Sequence, residues 1–159
     1  MPRKKTKSLQ RKIMPDRKYK SVLVQRLINK VMVAGKKSTA ERLVYSGMEQ
    51  AANTLKEADP LVALENGMKN IYPAMEVKSR RVGGANYQIP FEVKGTRKTH
   101  LALMWFVAAV RARKGKSLDK CIADEIVDAN NSTGTAVKVK EDTHRMAEAN
   151  RAFAHFARY

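Results

Sequence analysis

Acidic residues are scarce in this chain. Asp and Glu number 15 against 32 Lys and Arg, a formal charge of +17 over 159 residues. A compact body with that imbalance repels itself unless a polyanion neutralises it, so nucleic acid is the leading partner class. Cysteine is almost absent: Cys121 alone excludes an internal disulfide and any multi-cysteine zinc site, and suits a reducing compartment. Long apolar runs are missing too. The longest, residues 101–110, is about half of the ~20 residues a membrane-spanning helix needs, and the N-terminus lacks the apolar segment of a secretory signal. We therefore expect a soluble protein with no membrane partner. The Arg/Lys-rich start overlaps in composition with organelle transit peptides, but dense lysines with few serines better fit a tail that orders on RNA.

Catalytic signals are equally thin. His100, His144 and His155 show no metal-ligand spacing, since the last two lie eleven residues apart, about three helical turns, too far to share an ion. Residues 34–39 read Ala-Gly-Lys-Lys-Ser-Thr, like the end of a phosphate-binding loop, but the glycine required five residues before Gly35 is replaced by Lys30 and the residues upstream read as helix. No Ser/His/Asp arrangement stands out. An enzyme, a metal and a cofactor are not expected.

What is present is a helical pattern interrupted once. Residues 1–20 carry Arg3, Lys4, Lys5, Lys7, Arg11, Lys12, Arg17, Lys18 and Lys20 against Asp16 alone, and like charges with little apolar surface predict an extended or disordered extension. From Ser21, Val24, Leu27, Ile28, Val31 and Met32 recur at helical spacing, with Arg26 and Lys30 on another face and Gly35 as a stop. Ser38 and Glu41 make a capping box for a second helix with the stripe Ala40, Leu43, Val44, Met48, Ala51 and Leu55. Asp59 caps a third, with Pro60 in its first turn and Leu61, Leu64, Met68 and Ile71 inward. Thr96 or Thr99 caps a fourth whose middle, residues 101–110, is apolar all round, as in a central core helix. Ser117 caps a fifth with Leu118, Cys121, Ile122 and Ile126 inward. A sixth spans roughly 141–159 with Met146, Ala149, Phe153 and Phe156 at helical spacing.

Residues 75–93 are the exception. Two alternating runs meet at Gly83 and Gly84, where a hairpin turn needs positive φ. Met75 and Val77 fall on one face of the first strand with Lys78 and Arg80 on the other, while Tyr87, Ile89, Phe91 and Val93 share a face of the second. One apolar side and one basic side result. A strand of about seven residues reaches ~23 Å, long enough for an arm. The expected fold is mainly α: a single domain of about six helices (21–159) with a protruding two-stranded β-hairpin at 75–93 and a basic N-terminal extension (1–20).

A lone surface cation contributes little, so the binding argument rests on clusters: the tail, Lys36 with Lys37, Lys78 with Arg80 and Arg81, Arg97 with Lys98, and Arg111 with Arg113, Lys114 and Lys116. They sit at loops, helix ends and the arm, where they can neutralise phosphates and release counterions without disturbing a core. Arg111, Arg113 and Lys114 equally suit the negative end of a helix dipole. Trp105 reads as core. Tyr87 has two readings, a base-contacting ring or the seat of the ribbon on the helices.

Residues 31–42 (Val-Met-Val-Ala-Gly-Lys-Lys-Ser-Thr-Ala-Glu-Arg), 76–90 (Glu-Val-Lys-Ser-Arg-Arg-Val-Gly-Gly-Ala-Asn-Tyr-Gln-Ile-Pro) and 141–155 (Glu-Asp-Thr-His-Arg-Met-Ala-Glu-Ala-Asn-Arg-Ala-Phe-Ala-His) closely resemble the bacterial-type small-subunit ribosomal protein seven family. The resemblance covers essentially the whole chain. It implies a helical body with a protruding ribbon in the cytoplasmic ribosome, primary binding to the 3′ major domain of small-subunit ribosomal RNA, and nucleation of head assembly. Exit-site transfer RNA, the messenger exit path and small-subunit ribosomal protein eleven are implied neighbours, and no homo-oligomer is expected. By position, the tail from Pro2 to Lys12, Lys36 with Lys37, Lys78 and Arg97 would face ribosomal RNA, and the tip, Arg80, Arg81, Val82, Gly83 and Gly84, would point towards exit-site transfer RNA. His144 and Arg145 fall in the C-terminal motif, where RNA contact and helix packing are both open. The alternative from another class is a nucleoid-type architectural DNA-binding protein, with a cationic membrane-active protein further behind because the helices spend their apolar faces on a core.

Overall fold

The computed structural model describes residues 12–158, and its fold is mainly α. Among the described residues, helices α1 (Val22–Val31), α2 (Lys37–Leu55), α3 (Pro60–Ile71), α4 (Gly95–Ala112), α5 (Leu118–Asn130) and α6 (Thr135–Ala149) surround one core. A hairpin of β1 (Met75–Val82) and β2 (Ala85–Glu92) interrupts them, and a 3-10 helix, Arg151–Arg158, ends the chain. Leu27, Ile28, Met48, Leu64, Met68, Phe106, Ile122 and Ile126 are fully buried at the centre. The expected inward stripes of α1, α2, α3 and α5 supply these side chains except Phe106, which comes from α4.

α5 is the middle of the bundle. It packs on α2 at Gly47, where an added Cβ would lie 2.8 Å from the Asp119 carbonyl oxygen and 2.8 Å from Ile122 Cγ2, so the two backbones touch there. Against α3, the Asn130 amide donates to the carbonyl of Ala63 at 2.9 Å. Asn70 donates to the carbonyl of Ala129 at 2.9 Å. Such cross-helix bonds fix rotation about the helix axes, which apolar packing alone leaves loose.

Asp119 joins α5 to α2 by polar contacts, accepting from Gln50 Nε2 at 2.9 Å and Ser46 Oγ at 3.3 Å. Bonds from the Ser117 hydroxyl and then the Gln50 amide hold its carboxyl at about 2, below its ordinary 3.8. The folded pKa is depressed, so this stabilisation is present above about 3.8 and is lost as pH falls through about 2. Asp119→Asn should flatten that part of the acid-unfolding curve, followed by circular dichroism from pH 5 to 1.5. An unchanged acid limb would remove Asp119 from the account.

Several helix starts differ from the sequence expectation. α3 begins as expected, with Asp59 accepting from the Leu61 N–H at 2.8 Å and Pro60 in the first turn. α2 instead starts at Lys37, with Lys36 as a cap that makes no side-chain bond, so Ser38 lies inside the first turn. α4 starts at Gly95 after Lys94, ahead of both threonines. Ser117 does occupy the cap position of α5, but its hydroxyl bonds the Asp119 carboxylate. α6 begins about six residues early because the buried Glu125 carboxylate accepts the Ala136 N–H at 3.0 Å and so serves its N-terminus. Nor is α4 buried on every side: Met104 is 41% exposed, Ala108 and Ala112 face solvent, and Trp105 is half-buried against the core.

Asp16 ties the chain to the body ahead of α1. It is 2% exposed and accepts from the N–H groups of Lys18 (3.0 Å), Tyr19 (2.8 Å) and Ser21 (2.8 Å) and from the Tyr45 hydroxyl (3.2 Å). Burial pushes its carboxyl up, but these four bonds outweigh it and the pKa falls below the ordinary value. Residues 16–20 thus form a structured turn rather than an extended stretch.

Candidate nucleic-acid interface

The ribbon turns at Gly83 (φ +58°) and Gly84 (φ +91°), both left-handed as a two-residue hairpin loop requires. That loop fixes the register: Val82 pairs with Ala85, Arg80 with Tyr87, Lys78 with Ile89 and Glu76 with Phe91. Directly opposed residues share a face. The expected division into an apolar and a basic side is therefore overturned, because Lys78 and Arg80 lie on the face of Tyr87, Ile89 and Phe91. Lys78 Nζ sits 5.1 Å and the Arg80 guanidinium carbon 5.8 Å from the Phe91 ring centroid, so the face is a mixed cationic and aromatic surface.

Three attachments hold the ribbon, two at its root and one nearer its tip. Glu76, 7% exposed, accepts from Arg97 Nε (3.0 Å) and Nη2 (2.8 Å) on α4 and pairs with Lys78 Nζ at 2.9 Å. Burial raises its carboxyl, but Arg97 and Lys78 outweigh that and the pKa falls below normal. The Ala74 N–H donates to His144 Nε2 at 3.0 Å on α6, and burial followed by the charge of Lys140 holds that imidazole below its ordinary value, so it accepts as the neutral form. Tyr87 packs on Phe153 (5.1 Å) and Phe156 (5.6 Å) of the 3-10 helix. Of its two readings, Tyr87 takes the seating role, and His144 takes the packing role. Lys78, Arg80, Arg81, Gly83 and Gly84 are exposed along the ribbon and its turn.

The other clusters divide by what their charges touch. Arg3, Lys4, Lys5, Lys7 and Arg11 lie outside the described residues; Lys12 is exposed. Lys36 and Lys37 are exposed beside a loop that turns through positive φ at Ala34 and Gly35, with Lys37 3.8 Å from Glu41. Lys98 Nζ lies 5.6 Å from the Tyr72 ring centroid. Arg145 is largely exposed, 3.7 Å from Asp142. Arg111 donates to the carbonyls of Lys30 (3.3 Å) and Val31 (3.4 Å), closing the C-terminus of α1. Arg113 donates to Glu125 Oε2 from Nε (3.0 Å) and Nη2 (2.6 Å) and also pairs with Asp128. Burial opposes the charge of Arg113, but Asp128 and Glu125 more than offset it and raise the pKa. Lys116 pairs with Asp124, and Lys114 is exposed. Much of this cluster holds helices together, a use that sequence could not separate from binding.

α1 and α4 also enclose a cleft of about 580 Å³ lined in part by Arg26, Asn29, Lys30, Arg97 and His100. Burial and the charges of Lys30 and Arg97 hold the His100 imidazole below its ordinary value. The signal for this site was the placement of Arg26 and Lys30 one turn apart on the polar face of α1. Among the described residues no group of three or more His, Cys, Asp or Glu is placed to hold a metal ion.

The protein is thus a rigid helical body with a cationic arm, a cationic loop and a cationic cleft. Its sequence from residue 2 to residue 151 matches the family model described as Ribosomal protein S7p/S5e. The chain belongs to that family. It is 56% identical over 146 residues to the small ribosomal subunit protein uS7 of Thermosipho melanesiensis, covering 92% of this chain and 94% of the relative. The protein of that name from Chloroflexus aggregans is 54% identical over 148 residues, covering 93% and 94%. That of Micrococcus luteus is 54% identical over 156 residues, covering 98% and 99%. Membership makes the chain an RNA-binding structural constituent of the small ribosomal subunit, acting in translation. No described helix is long and apolar enough to cross a membrane.

Proposed function

We propose that this protein is a primary binder of the 3′ major domain of small-subunit ribosomal RNA and nucleates assembly of the subunit head, working by shape recognition and phosphate neutralisation with no catalytic step. The observation that carries this reading is the ribbon. It is held at its root by Glu76 and Ala74 and nearer its tip by Tyr87, while Lys78, Arg80 and Arg81 remain exposed along it, so an RNA meets a preformed arm and little ordering entropy is lost on docking. Lys36, Lys37, Lys98, Lys114 and Arg145 extend the phosphate-facing surface, and the residues from Arg3 to Lys12 add positive charge to it. Arg97, Arg111, Arg113 and Lys116 reach RNA only with the charge their ion pairs and carbonyl contacts leave over. The tip at residues 80–84 points towards exit-site transfer RNA and the messenger exit path, with small-subunit ribosomal protein eleven alongside.

Replacing Lys78, Arg80 and Arg81 together by Ala should weaken binding to a ribosomal head-domain RNA fragment by about tenfold or more and flatten its salt dependence. The midpoint of thermal unfolding should shift little, because Arg80 and Arg81 are exposed and Glu76 keeps its two bonds from Arg97 when Lys78 is removed. A large loss of thermal stability would show that this face is structural. The nucleoid-type alternative is separated by competition: duplex DNA that displaced the protein from the RNA fragment at equal concentration in moderate salt would overturn the ribosomal reading.

A further inference from the structure

We infer that His144 is a positioning residue for the ribbon: its neutral imidazole latches Ala74 and fixes the direction in which the arm leaves the body, and a proton on that imidazole opens the latch. The inference deepens the RNA-binding reading above, which needs an arm of fixed direction, and its first readout is independent of RNA. Ala74 is the joint of the arm. It lies between Tyr72, the C-cap of α3, and Met75, the first residue of β1. Its carbonyl accepts the Val93 N–H at 2.9 Å, which closes the two strand ends on each other. Its N–H donates to His144 Nε2 at 3.0 Å on α6. One residue therefore ties both strands to a helix. The other polar tie at the root runs from Glu76 to Arg97 on α4. Two directional ties to two different helices set an orientation, whereas either alone leaves a hinge. The contact of Tyr87 with Phe153 and Phe156 is aromatic packing, which keeps the arm near the body without fixing its direction.

The latch depends on protonation because Nε2 is the acceptor. A neutral imidazole has one acceptor nitrogen, so the proton of His144 sits on Nδ1, while an imidazolium has two N–H donors and no acceptor. Protonation sets an Nε2–H against the Ala74 N–H and breaks the bond. His144 is half-buried, so solvent protons reach it. Burial first, and then Lys140 one turn earlier on α6, favour the neutral form. Of the charges on the elements packed against α6, Glu76 of β1 is held by Arg97 of α4 and by Lys78. Glu92 of β2 pairs with Lys94, Glu125 of α5 with Arg113, and Arg151 of the 3-10 helix with Glu148. Lys69 of α3 bonds Asn66. Lys140 is thus the charge that acts on the ring. The folded pKa lies below the ordinary 6.5, so the latch is complete above about 6.5 and is lost as pH falls through the lowered value.

The test uses the full chain in a Cys121→Ala background, with spin labels at Arg81→Cys near the tip and Asn53→Cys on α2, both exposed positions. Double electron–electron resonance reads the distance distribution between the labels from about pH 7.5 to about pH 5, and imidazole 15N spectra follow the protonation of His144. With His144 in place the distribution should be narrow at the upper pH, where the ring shows the Nδ1–H tautomer, and should broaden as the ring titrates. His144→Gln, whose amide oxygen is an acceptor at every pH, should stay narrow throughout. His144→Leu should be broad throughout with its helical circular dichroism retained, and without labels it should bind the 3′ major domain RNA fragment severalfold more weakly than wild type at the upper pH. If His144→Leu fails to fold, the comparison of His144 with His144→Gln carries the test. A distribution that does not change as His144 titrates, an equal change in His144→Gln, or a neutral ring protonated on Nε2 overturns the latch. Wild-type RNA affinity in folded His144→Leu overturns the positioning role. Failure of wild type to bind the fragment overturns the RNA-binding reading itself and leaves the latch standing on its distances.

Discussion

Glu125→Ala is expected to lower the unfolding free energy by about 3–5 kcal/mol, the cost of breaking a buried ion pair by removing one partner. Glu125 is 0% exposed. Its Oε2 receives two bonds from Arg113, and its Oε1 receives the Ala136 N–H that opens α6. One truncation leaves a largely enclosed guanidinium short of a partner, an unsatisfied backbone donor and a void among α4, α5 and α6. Domains of this size are stable by about 5–15 kcal/mol in total, so a substantial part of the fold's margin is at stake. Urea unfolding measures it. Glu125→Gln keeps the shape and one acceptor and should lose less. The double variant Glu125→Leu with Arg113→Met should recover part of the loss, because no unpaired charge remains. A Glu125→Ala protein within about 1 kcal/mol of wild type would show that the cluster is not the hub of these three helices.

RNA affinity should fall by about 10³–10⁵-fold between 50 and 200 mM salt if six to ten phosphates are engaged. On the proposed reading, Lys78, Arg80 and Arg81 of the ribbon, Lys36 and Lys37 after α1 and the positive charges of residues 1–12 would supply contacts of that number. Removing residues 1–12 should flatten the plot of log K against log salt. An identical slope would mean that the extension makes no phosphate contacts. Arg113 is the useful counterexample: it belongs to a basic cluster, yet its charge is spent on Glu125 and Asp128. Its replacement should alter stability before it alters the salt slope.

Much of this fold was written in local patterns. The apolar spacing of α1, α3 and α5 predicts their buried faces, and the Gly83-Gly84 turn predicts the ribbon. The faces of the ribbon were misjudged for an instructive reason. Alternation says which residues share a face within one strand, while only the register says how two strands combine. A two-residue loop pairs Val82 with Ala85, and counting back from it puts Lys78 opposite Ile89. The early start of α6 was hidden because residues 135–140, Thr-Ala-Val-Lys-Val-Lys, alternate rather than follow a helical period, and because the group serving that terminus is Glu125, on another helix. The site was legible as clusters of charge. Which charges are consumed was not, since Arg97 meets Glu76 and Arg113 meets Glu125 only after the chain has folded.

The most direct measurement is chemical footprinting of the protein on intact small-subunit ribosomal RNA at moderate salt. The account predicts protections confined to the 3′ major domain, with those due to the ribbon lost in the Lys78, Arg80 and Arg81 triple variant. Protections scattered over other domains, or none, would contradict it.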